Sequence, residues 1–373
     1  MPPTSDRDLL IALNSSTSLA RAAACRLALD LDRWARRPVD FPAALALEMG
    51  VPPDQLSRAL ALLAGARRAA EQESASAGRL GARLVTAADP DYPEALRHLD
   101  LPPPAFALRG ALPEEPAVAI VGSRRADPYG LDAADLFARG LAAAGVTVVS
   151  GFARGVDAAA HRGALAVAGG RTVAVLGCGL GVDYPRGHAG LGDEIAGRGA
   201  LVSEFPCGTG PRGWHFPVRN RLIAALSAGT LVVQAALRSG SLITARHALD
   251  LGREVWALPG RIFDERSLGP NSLIRDGARL VQHPLDLLDC LTGVTRSGRG
   301  GPSPEPAQPA ARELPPGLAG KLLGLLPPGL LQTPDDLAAR AGEPLERVLG
   351  ELLELELAGL VRRRPGPVYG AVG

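Results

Sequence analysis

The stretch Phe216–Thr244 (FPVRNRLIAALSAGTLVVQAALRSGSLIT) contains the side chains with the clearest binding chemistry in this sequence. Arg219, Arg221 and Arg238 lie beside the starts of two predicted helices, where free backbone N–H groups and the helix dipole attract an anion. Phe216, one of seven phenylalanines in the chain, precedes them, and an aromatic ring beside guanidinium groups suits a base stacked along a phosphate chain. The alternative is that Phe216 is a core residue and the arginines are solvated.

Two helices and one strand must position these groups. Asn220 is the predicted cap of the first helix, which Gly229 ends. Residues 230–236 form a nearly unbroken apolar run, typical of a strand that is covered on both faces. The Ser-Gly-Ser turn at 239–241 then opens the second helix. The sequence therefore predicts two helix starts beside one buried strand, which favours an anion site.

From residue 117 onward, apolar strands alternate with helices of about 10–15 residues, and this predicts a doubly wound parallel α/β sheet. Ligands of such sheets bind at the carboxyl ends of the strands, near a switch point in strand order. Small residues and arginines follow the strands here, at 122–124, 150–155, 177–179 and 238–241. Glycines let backbone approach a ligand and arginines supply charge. The glycine pattern and spaced acid of dinucleotide-binding folds are missing, so we expect no NAD and no other cofactor.

Composition limits the classes of function. The chain has 373 residues, enough for two or three domains, and its net charge is +1, so any nucleic-acid surface must be a local patch. Only one of its 40 basic residues is a lysine, and arginine binds phosphate bidentately and stacks on rings. The four cysteines are widely spaced and show no metal-binding pattern, which is typical of a reducing cytosol. No apolar run approaches the roughly 18 residues of a membrane span, so we expect a soluble cytoplasmic protein without a bound metal.

Helical or irregular segments flank the predicted sheet. Residues 1–80 predict a small helical domain, and residues 316–373 predict three helices and a hairpin, which is the pattern of a winged helix. Residues 81–116 are proline-rich and predict an extended, irregular arm. Residues 291–315 are rich in Gly, Pro and Ser and predict a flexible linker. The third helix of the tail has an acidic exposed face, which disfavours DNA contact through it. Residues 1–80 are compatible with a helix-hairpin-helix module that grips the DNA backbone. Packing or dimerisation is the alternative role for each of these two domains.

Eight ordered motifs resemble the DNA-processing protein A family (DprA, also called Smf). They are GSR…YG (122–130), VSGFARGVDAAAH (149–161), VLGCGLGVDYP (175–185), SEFP (203–206), FPVRNRLIAALS (216–227), SGSLITARHAL (239–249), LPG (258–260) and GPNSLIRDGA (269–278). Tyr92-Pro93 and the arm PPPAFALRG match as well, so the resemblance spans residues 85–290. The two ends of the chain agree with the family in architecture more than in sequence.

This resemblance implies an extended Rossmann-like fold over 81–290, preceded by a helical SAM-like domain and followed by a winged helix. It also implies a homodimeric single-stranded DNA-binding protein without catalytic activity. Such proteins protect incoming strands during natural transformation and recombination, and load RecA onto them while displacing single-stranded-DNA-binding protein. The residues that match the family's DNA-binding motifs are Ser123, Arg124, Ser150, Gly151, Arg154, Gly155, Arg212, Phe216, Arg219, Arg221, Ser239, Gly240 and Ser241.

Two other functions are compatible with these residues. A Rossmann-like nucleotide hydrolase would need a placed carboxylate, for which Asp157 and Glu204 are candidates, with His161 one helical turn from Asp157. A structural hydrogen bond is the simpler explanation for the Asp157 and His161 pair. A regulator that binds duplex DNA would instead act through the C-terminal tail, with its third helix and Arg362–Arg364 at the DNA.

Overall fold

The structure, a computed structural model, describes residues 5–35, 42–114, 116–291, 317–326, 332–364 and 368–371. The chain divides into two compact units, Met1–Thr295 and Arg296–Gly373. Residues 292–315, nearly all of the predicted linker, lie outside the described residues. None of the helices in the described part of the chain has the length and apolar character that a bilayer crossing requires.

Six short helices precede the sheet in the part of the chain that the structure describes. They are α1 (Asp6–Ser15), α2 (Arg21–Ala28), α3 (Leu31–Trp34), α4 (Pro42–Glu48), α5 (Pro53–Leu62) and α6 (Ala66–Arg79). A capping box begins α1, because the Ser5 hydroxyl accepts from the Asp8 N–H and the Asp8 carboxylate accepts from the Ser5 N–H. A 3-10 turn at Leu63–Gly65 separates α5 from α6, at a glycine that disfavours a continuous helix.

Hydrogen bonds connect these N-terminal helices to the sheet. The Arg7 guanidinium donates to the Leu84 carbonyl, and the Asn14 amide donates to the Glu204 carbonyl. Ile11 of α1 is buried in a cluster that includes side chains of the sheet. Helix α1 therefore packs against the sheet, whereas Trp34 and Leu56 belong to a separate core among the N-terminal helices.

The segment predicted as an irregular arm is instead the edge of the sheet. It forms β1 (Arg83–Thr86), α7 (Glu94–Arg97) and β2 (Ala105–Gly110), and β1 pairs antiparallel with β2. Phe106 and Leu108 are fully buried. Burial of these apolar side chains requires that the backbone beside them be hydrogen-bonded, and the strand ladder supplies those partners.

Seven further strands complete a nine-stranded sheet in the order β1-β2-β6-β5-β4-β3-β7-β8-β9. They are β3 (Ala117–Val121), β4 (Thr147–Ser150), β5 (Thr172–Val175), β6 (Ala200–Ser203), β7 (Gly229–Val232), β8 (Glu254–Ala257) and β9 (Arg279–Leu280). All pairs from β6 to β9 are parallel, whereas β2 joins β6 antiparallel. The predicted doubly wound parallel sheet is confirmed, and its strand order reverses at β3, between β4 and β7.

Helices cover both faces of this sheet. They are α8 (Pro128–Ala143), α9 (Val156–Leu165), α10 (Ala189–Arg198), α11 (His215–Ala225), α12 (Gly240–Asp250), α13 (Leu268–Arg275) and α14 (Pro284–Leu291). Successive side chains of β3 point to opposite faces of the sheet. Ala119 belongs to the same core cluster as Leu222 of α11, and Ile120 belongs to a second cluster with Phe137 of α8. A strand buried in this way must be apolar throughout, as residues 117–121 are.

Two boundaries near the predicted anion site differ from the prediction. Helix α11 begins at His215 with Trp214 as its N-cap, so Asn220 is in the helix interior, where its amide donates to the Gly240 carbonyl. Pro217 falls within the first turn, which tolerates proline because the N–H there has no helical partner. Strand β7 ends at Val232 rather than at residue 236, because the chain then leaves the ladder and the Ala235 N–H donates to the Arg266 carbonyl.

The smaller unit contains the predicted three helices and a hairpin. They are α15 (Leu318–Leu325), α16 (Pro334–Ala341), α17 (Leu345–Leu357), β10 (Val361–Arg364) and β11 (Val368–Ala371). The Thr333 hydroxyl caps α16, with proline at its first position. Leu322, Leu337 and Leu352, one from each helix, are fully buried in a single core.

Candidate functional site

A cleft of about 490 Å³ opens at the carboxyl ends of β3, β4 and β5, and we call it the arginine cleft. The loops that follow these strands form much of its wall, together with the loop before α10 and the first turn of α11. Its position beside the reversal in strand order is where open α/β sheets bind ligands. A cleft therefore lies at the edge of the sheet where the sequence predicts the binding site.

Four arginines line the arginine cleft: Arg124, Arg125, Arg154 and Arg186. All four are exposed. None of them forms an ion pair with a carboxylate of the described residues. Unpaired guanidinium groups around one concavity create a positive potential that attracts an anion. Their N–H groups can donate hydrogen bonds to the oxygens of a phosphate.

An aromatic and cationic stack crosses the cleft. The guanidinium carbon of Arg124 lies 4.5 Å from the centroid of the Phe216 ring, and the Tyr184 and Phe216 centroids are 5.6 Å apart. Phe216 is half-buried rather than fully exposed. A methyl group at Gly177 would lie 2.6 Å from a Phe216 ring carbon, so the glycine after β5 is what admits the ring. The stack offers planar groups against which a base can lie.

The loop after β4 brings backbone to the cleft. A methyl group at Gly151 would lie 2.7 Å from both the Asp157 carboxylate and the Arg219 guanidinium, so only glycine fits there. Phe152 adopts φ 60°, a left-handed conformation that is uncommon for a bulky residue. Its ring is buried and lies edge-on to His188, with the two centroids 5.4 Å apart. Packing of this ring compensates for the backbone strain at the turn.

Arg219 lies beneath the arginine cleft rather than in it. Its guanidinium is buried and donates to the Gly151 carbonyl at 2.8 Å and to the Val175 carbonyl. Burial lowers the pKa of Arg219 to about 10, while the Asp157 carboxylate raises it. This side chain therefore joins the ends of β4 and β5 and holds the cleft floor in place.

Arg221 forms a buried ion pair with Glu204. Two of its guanidinium nitrogens donate to the two carboxylate oxygens, each at 2.8 Å. Burial opposes the charge on Arg221, but Glu204 raises the pKa of the guanidinium overall. The side chain of Glu204 is fully enclosed. The pair satisfies both charges inside the protein and leaves Arg221 away from the cleft wall.

The predicted serines support loops and do not line the cleft. The Ser150 hydroxyl is buried and donates to the Ile120 carbonyl, and the Ser123 hydroxyl accepts from the Arg125 N–H. Ser239 caps α12 and accepts from the Ser241 N–H, with Gly240 between them. Gly155 has φ 79° and lies against the Ser123 carbonyl, where a side chain would clash.

Of the predicted residues, the structure thus brings together Arg124, Gly151, Arg154 and Phe216 at the cleft. Arg212 is exposed just before α11 and is not part of the cleft wall. Sequence reasoning did not single out Arg125, Tyr184 or Arg186. Two signals were available, since Arg125 follows Arg124 directly and the other two belong to the DYPR stretch that follows the glycines after β5.

The three side chains that could act as catalytic groups are buried, and each has a partner within the protein. The Asp157 carboxylate accepts from the Ala153 N–H, and burial raises its pKa while Arg219 lowers it. His161 is fully buried against the Thr172 hydroxyl, 2.7 Å from its Nδ1, and burial lowers its pKa to about 3. Glu204 is occupied by Arg221. Within the described ranges, no cluster of His, Cys, Asp and Glu side chains has the arrangement of a metal site.

Comparison with known proteins gives two family matches. Residues 83–292 match the family described as DNA recombination-mediator protein A, and residues 304–367 match the DprA winged helix domain. Protein Smf of Escherichia coli (strain K12) is 39% identical over 370 residues, which are 97% of this chain and 95% of that protein. DNA processing protein DprA of Streptococcus pneumoniae (strain ATCC BAA-255 / R6) is 44% identical over 173 residues, 46% of this chain and 61% of that protein.

Solved structures that resemble this one include two DNA processing proteins. DNA processing protein A from Streptococcus pneumoniae aligns with a TM-score of 0.65 and 32% identity, over 77% of this chain and 98% of the other. DNA processing protein A from Helicobacter pylori aligns with a TM-score of 0.51 and 32% identity, over 57% of this chain and 96% of the other. The latter structure is described as giving insight into a single-stranded DNA binding mode. The fold and the family that the motifs predicted are confirmed.

Proposed function

The chain belongs to the DNA recombination-mediator protein A family, and from this premise we propose that it binds single-stranded DNA in the arginine cleft. The ligand class is supported by the Helicobacter pylori relative, whose structure is described by its single-stranded DNA binding mode. Arg124, Gly151, Arg154 and Phe216 are the predicted site residues that line the cleft, and Arg125, Tyr184 and Arg186 add to them.

The single observation that supports this proposal most strongly is the stack of Arg124 on Phe216 between unpaired arginines. Guanidinium groups bind the phosphate chain, and the ring offers a face to a base. A base must be free of its Watson–Crick partner to lie against a ring inside a cleft, so duplex DNA would contact only the rim. Since every base has a flat face, binding is expected to depend little on sequence and strongly on salt.

We further propose the roles that the family resemblance implies. The protein protects incoming single strands in natural transformation and recombination, and it loads RecA while displacing single-stranded-DNA-binding protein. It acts in the cytoplasm as a homodimer, and two arginine clefts on one strand would raise the effective concentration of the second contact. The family's description as a recombination mediator supports the step that hands the strand to a recombinase.

The same geometry supports binding without catalysis. General acid or base chemistry requires a titratable group within hydrogen-bond reach of the substrate. Asp157, His161 and Glu204 are instead buried, and each already has a protein partner. Incubation of the protein with nucleoside monophosphates and with single-stranded DNA should therefore release neither free base nor shorter strands.

The experiment that tests the proposed function compares fluorescence anisotropy of labelled single-stranded and duplex oligonucleotides. The wild type should bind the single strand more tightly, and Arg124→Ala should weaken that binding. Arg139→Ala is the matched control, because this exposed arginine lies near the end of α8, roughly 16 Å along the helix from its start beside β3. Equal affinity for duplex, or equal loss in both variants, would contradict the proposal.

A further inference from the structure

Trp214 is exposed at a position outside the arginine cleft. It is the N-cap of α11, two residues before Phe216, and its surface is 51% exposed. The other two tryptophans, Trp34 and Trp256, are each only 1% exposed. An exposed aromatic ring offers a flat face on which a base of single-stranded DNA can stack.

Neighbouring rings hold Trp214 in place. Its ring centroid lies 4.2 Å from that of His215, with the planes at 85°, and 6.3 Å from that of Phe205. His215 is stacked on Phe205 with centroids 4.1 Å apart, and its Nδ1 lies 3.2 Å from the carbonyl of Gly177 in the cleft wall. Trp214 is therefore connected to the cleft through buried groups and is already ordered before any ligand binds, which lowers the entropic cost of a contact.

The surroundings of Trp214 carry positive charge. Arg212 is exposed two residues earlier, and the Arg21 guanidinium of α2 lies over the Phe205 ring, 5.7 Å from its centroid. Burial lowers the pKa of His215, and the charges of Arg212 and Arg21 lower it further. The positive charge of both arginines therefore reaches the ring next to Trp214. The Glu204 carboxylate, which is paired with Arg221, acts in the opposite direction and raises the pKa of His215.

We propose that Trp214 is a second stacking site for a base of single-stranded DNA, with Arg212 beside it for a phosphate. A strand that leaves the arginine cleft would pass over the start of α11 towards the N-terminal helices. This inference rests on the proposed function, but binding in the arginine cleft does not require it. It also gives Arg212, which is not part of the cleft wall, a place on the DNA path.

Tryptophan emission reports on this site directly, because the two other tryptophans are buried. The full-length protein is titrated with an oligothymidylate of about 20 nucleotides, long enough to extend beyond one cleft. Wild-type emission should be quenched as the strand binds, and Trp214→Phe should lose the quench while it keeps nearly the wild-type affinity, because phenylalanine still stacks. Trp214→Ala should bind roughly five-fold or more weakly, with an unchanged salt slope because no charge is removed.

Labelled-strand anisotropy on the same samples separates the two proposals. If the wild type binds the strand without a loss of tryptophan emission, the Trp214 site is overturned. The same holds if Trp214→Ala binds the strand as tightly as the wild type. Either result leaves the proposed binding in the arginine cleft unaffected. No binding of the single strand by the wild type overturns the proposed function itself. Acrylamide quenching without DNA provides a further test, since protection of Trp214 that rises with protein concentration would mean that a second copy covers the ring, and this too overturns the proposal.

Discussion

Arginine has opposite roles in two neighbouring regions of this molecule. In the arginine cleft, Arg124 is exposed, has no carboxylate partner in the described residues and lies on Phe216. In the layer behind it, Arg219 and Arg221 of the same helix as Phe216 are buried and donate to carbonyls or to Glu204. Burial and partners, rather than residue type or proximity in sequence, therefore decide which arginines are available to a ligand. The two regions should therefore respond differently to mutation.

Arg221→Ala should have the largest effect, and it should be on folding. Removal of the guanidinium leaves the fully enclosed Glu204 carboxylate without its partner, which typically costs about 3–5 kcal/mol of unfolding free energy. Urea unfolding followed by circular dichroism measures this loss. A second variant that also carries Glu204→Leu should recover part of it, because the unpaired charge is then gone. An unchanged unfolding free energy for Arg221→Ala would remove the distinction between the two regions.

Phe216→Ala should act mainly on binding. Loss of the stacking ring is expected to cost about 1–3 kcal/mol of single-strand affinity, measured by anisotropy at a temperature where the variant is fully folded. Phe216→Trp is the matched control, because it keeps a stacking face beside Arg124. If both variants bind as tightly as the wild type, the ring belongs to the core alone.

The buried layer should also give stability its pH dependence. The folded-state pKa of His161 is lowered to about 3 from an ordinary 6.5, so the unfolded chain binds a proton first as pH falls. Unfolding free energy should decrease below pH 6.5 by up to about 1.4 kcal/mol per pH unit for this group. His188, His215 and His247, whose pKa values are also lowered by burial, act in the same direction.

Urea unfolding at pH 7.0, 6.0 and 5.0 checks this prediction, with His161→Gln as the comparison. The variant should lose less stability on acidification than the wild type. The raised pKa of Asp157 acts in the opposite direction, because a carboxyl group with a raised folded-state pKa stabilises the protein at low pH and loses that contribution as pH rises. An identical decline in the wild type and the variant would show that His161 does not contribute to it.

The smallest effect is expected at Arg139, an exposed arginine outside both regions. It forms an ion pair with Asp135, four residues earlier on the surface of α8. Such pairs contribute about 0.3–0.5 kcal/mol to the free energy of unfolding. Arg139→Ala should therefore change unfolding free energy by no more than that amount and leave DNA affinity unchanged. A large loss of affinity would mean that the DNA surface extends well beyond the arginine cleft.

The sequence was sufficient to predict the parallel part of the sheet and the edge at which the site lies, but not the antiparallel strands β1 and β2. Apolar runs such as 117–121 can be satisfied only between two layers, and glycines after successive strands must meet at one edge. It was not sufficient to assign the arginines of α11. Asn220 was a plausible cap, and the prediction placed Arg219 and Arg221 at an open helix start. The helix in fact begins at His215, which turns both arginines towards the interior.

Two residues of the arginine cleft could not be predicted from the sequence pattern. Arg186 and Tyr184 follow a glycine-rich loop whose path depends on contacts far away in sequence, including the packing of Tyr184 with Phe216. No periodicity marks such residues, because loops are positioned by tertiary contacts rather than by local pattern. Side chains on strand ends were predictable, and those on a folded-back loop were not.

The salt dependence of single-strand binding by Arg124→Ala is the sharpest test of whether the arginine cleft holds the DNA strand. If the exposed arginines of the cleft contact phosphates, a plot of log affinity against log salt concentration should be shallower than that of the wild type by about 0.7, and the affinity should be lower at every moderate salt concentration. Superimposable plots for the wild type and Arg124→Ala would contradict the claim that the arginine cleft holds the DNA strand.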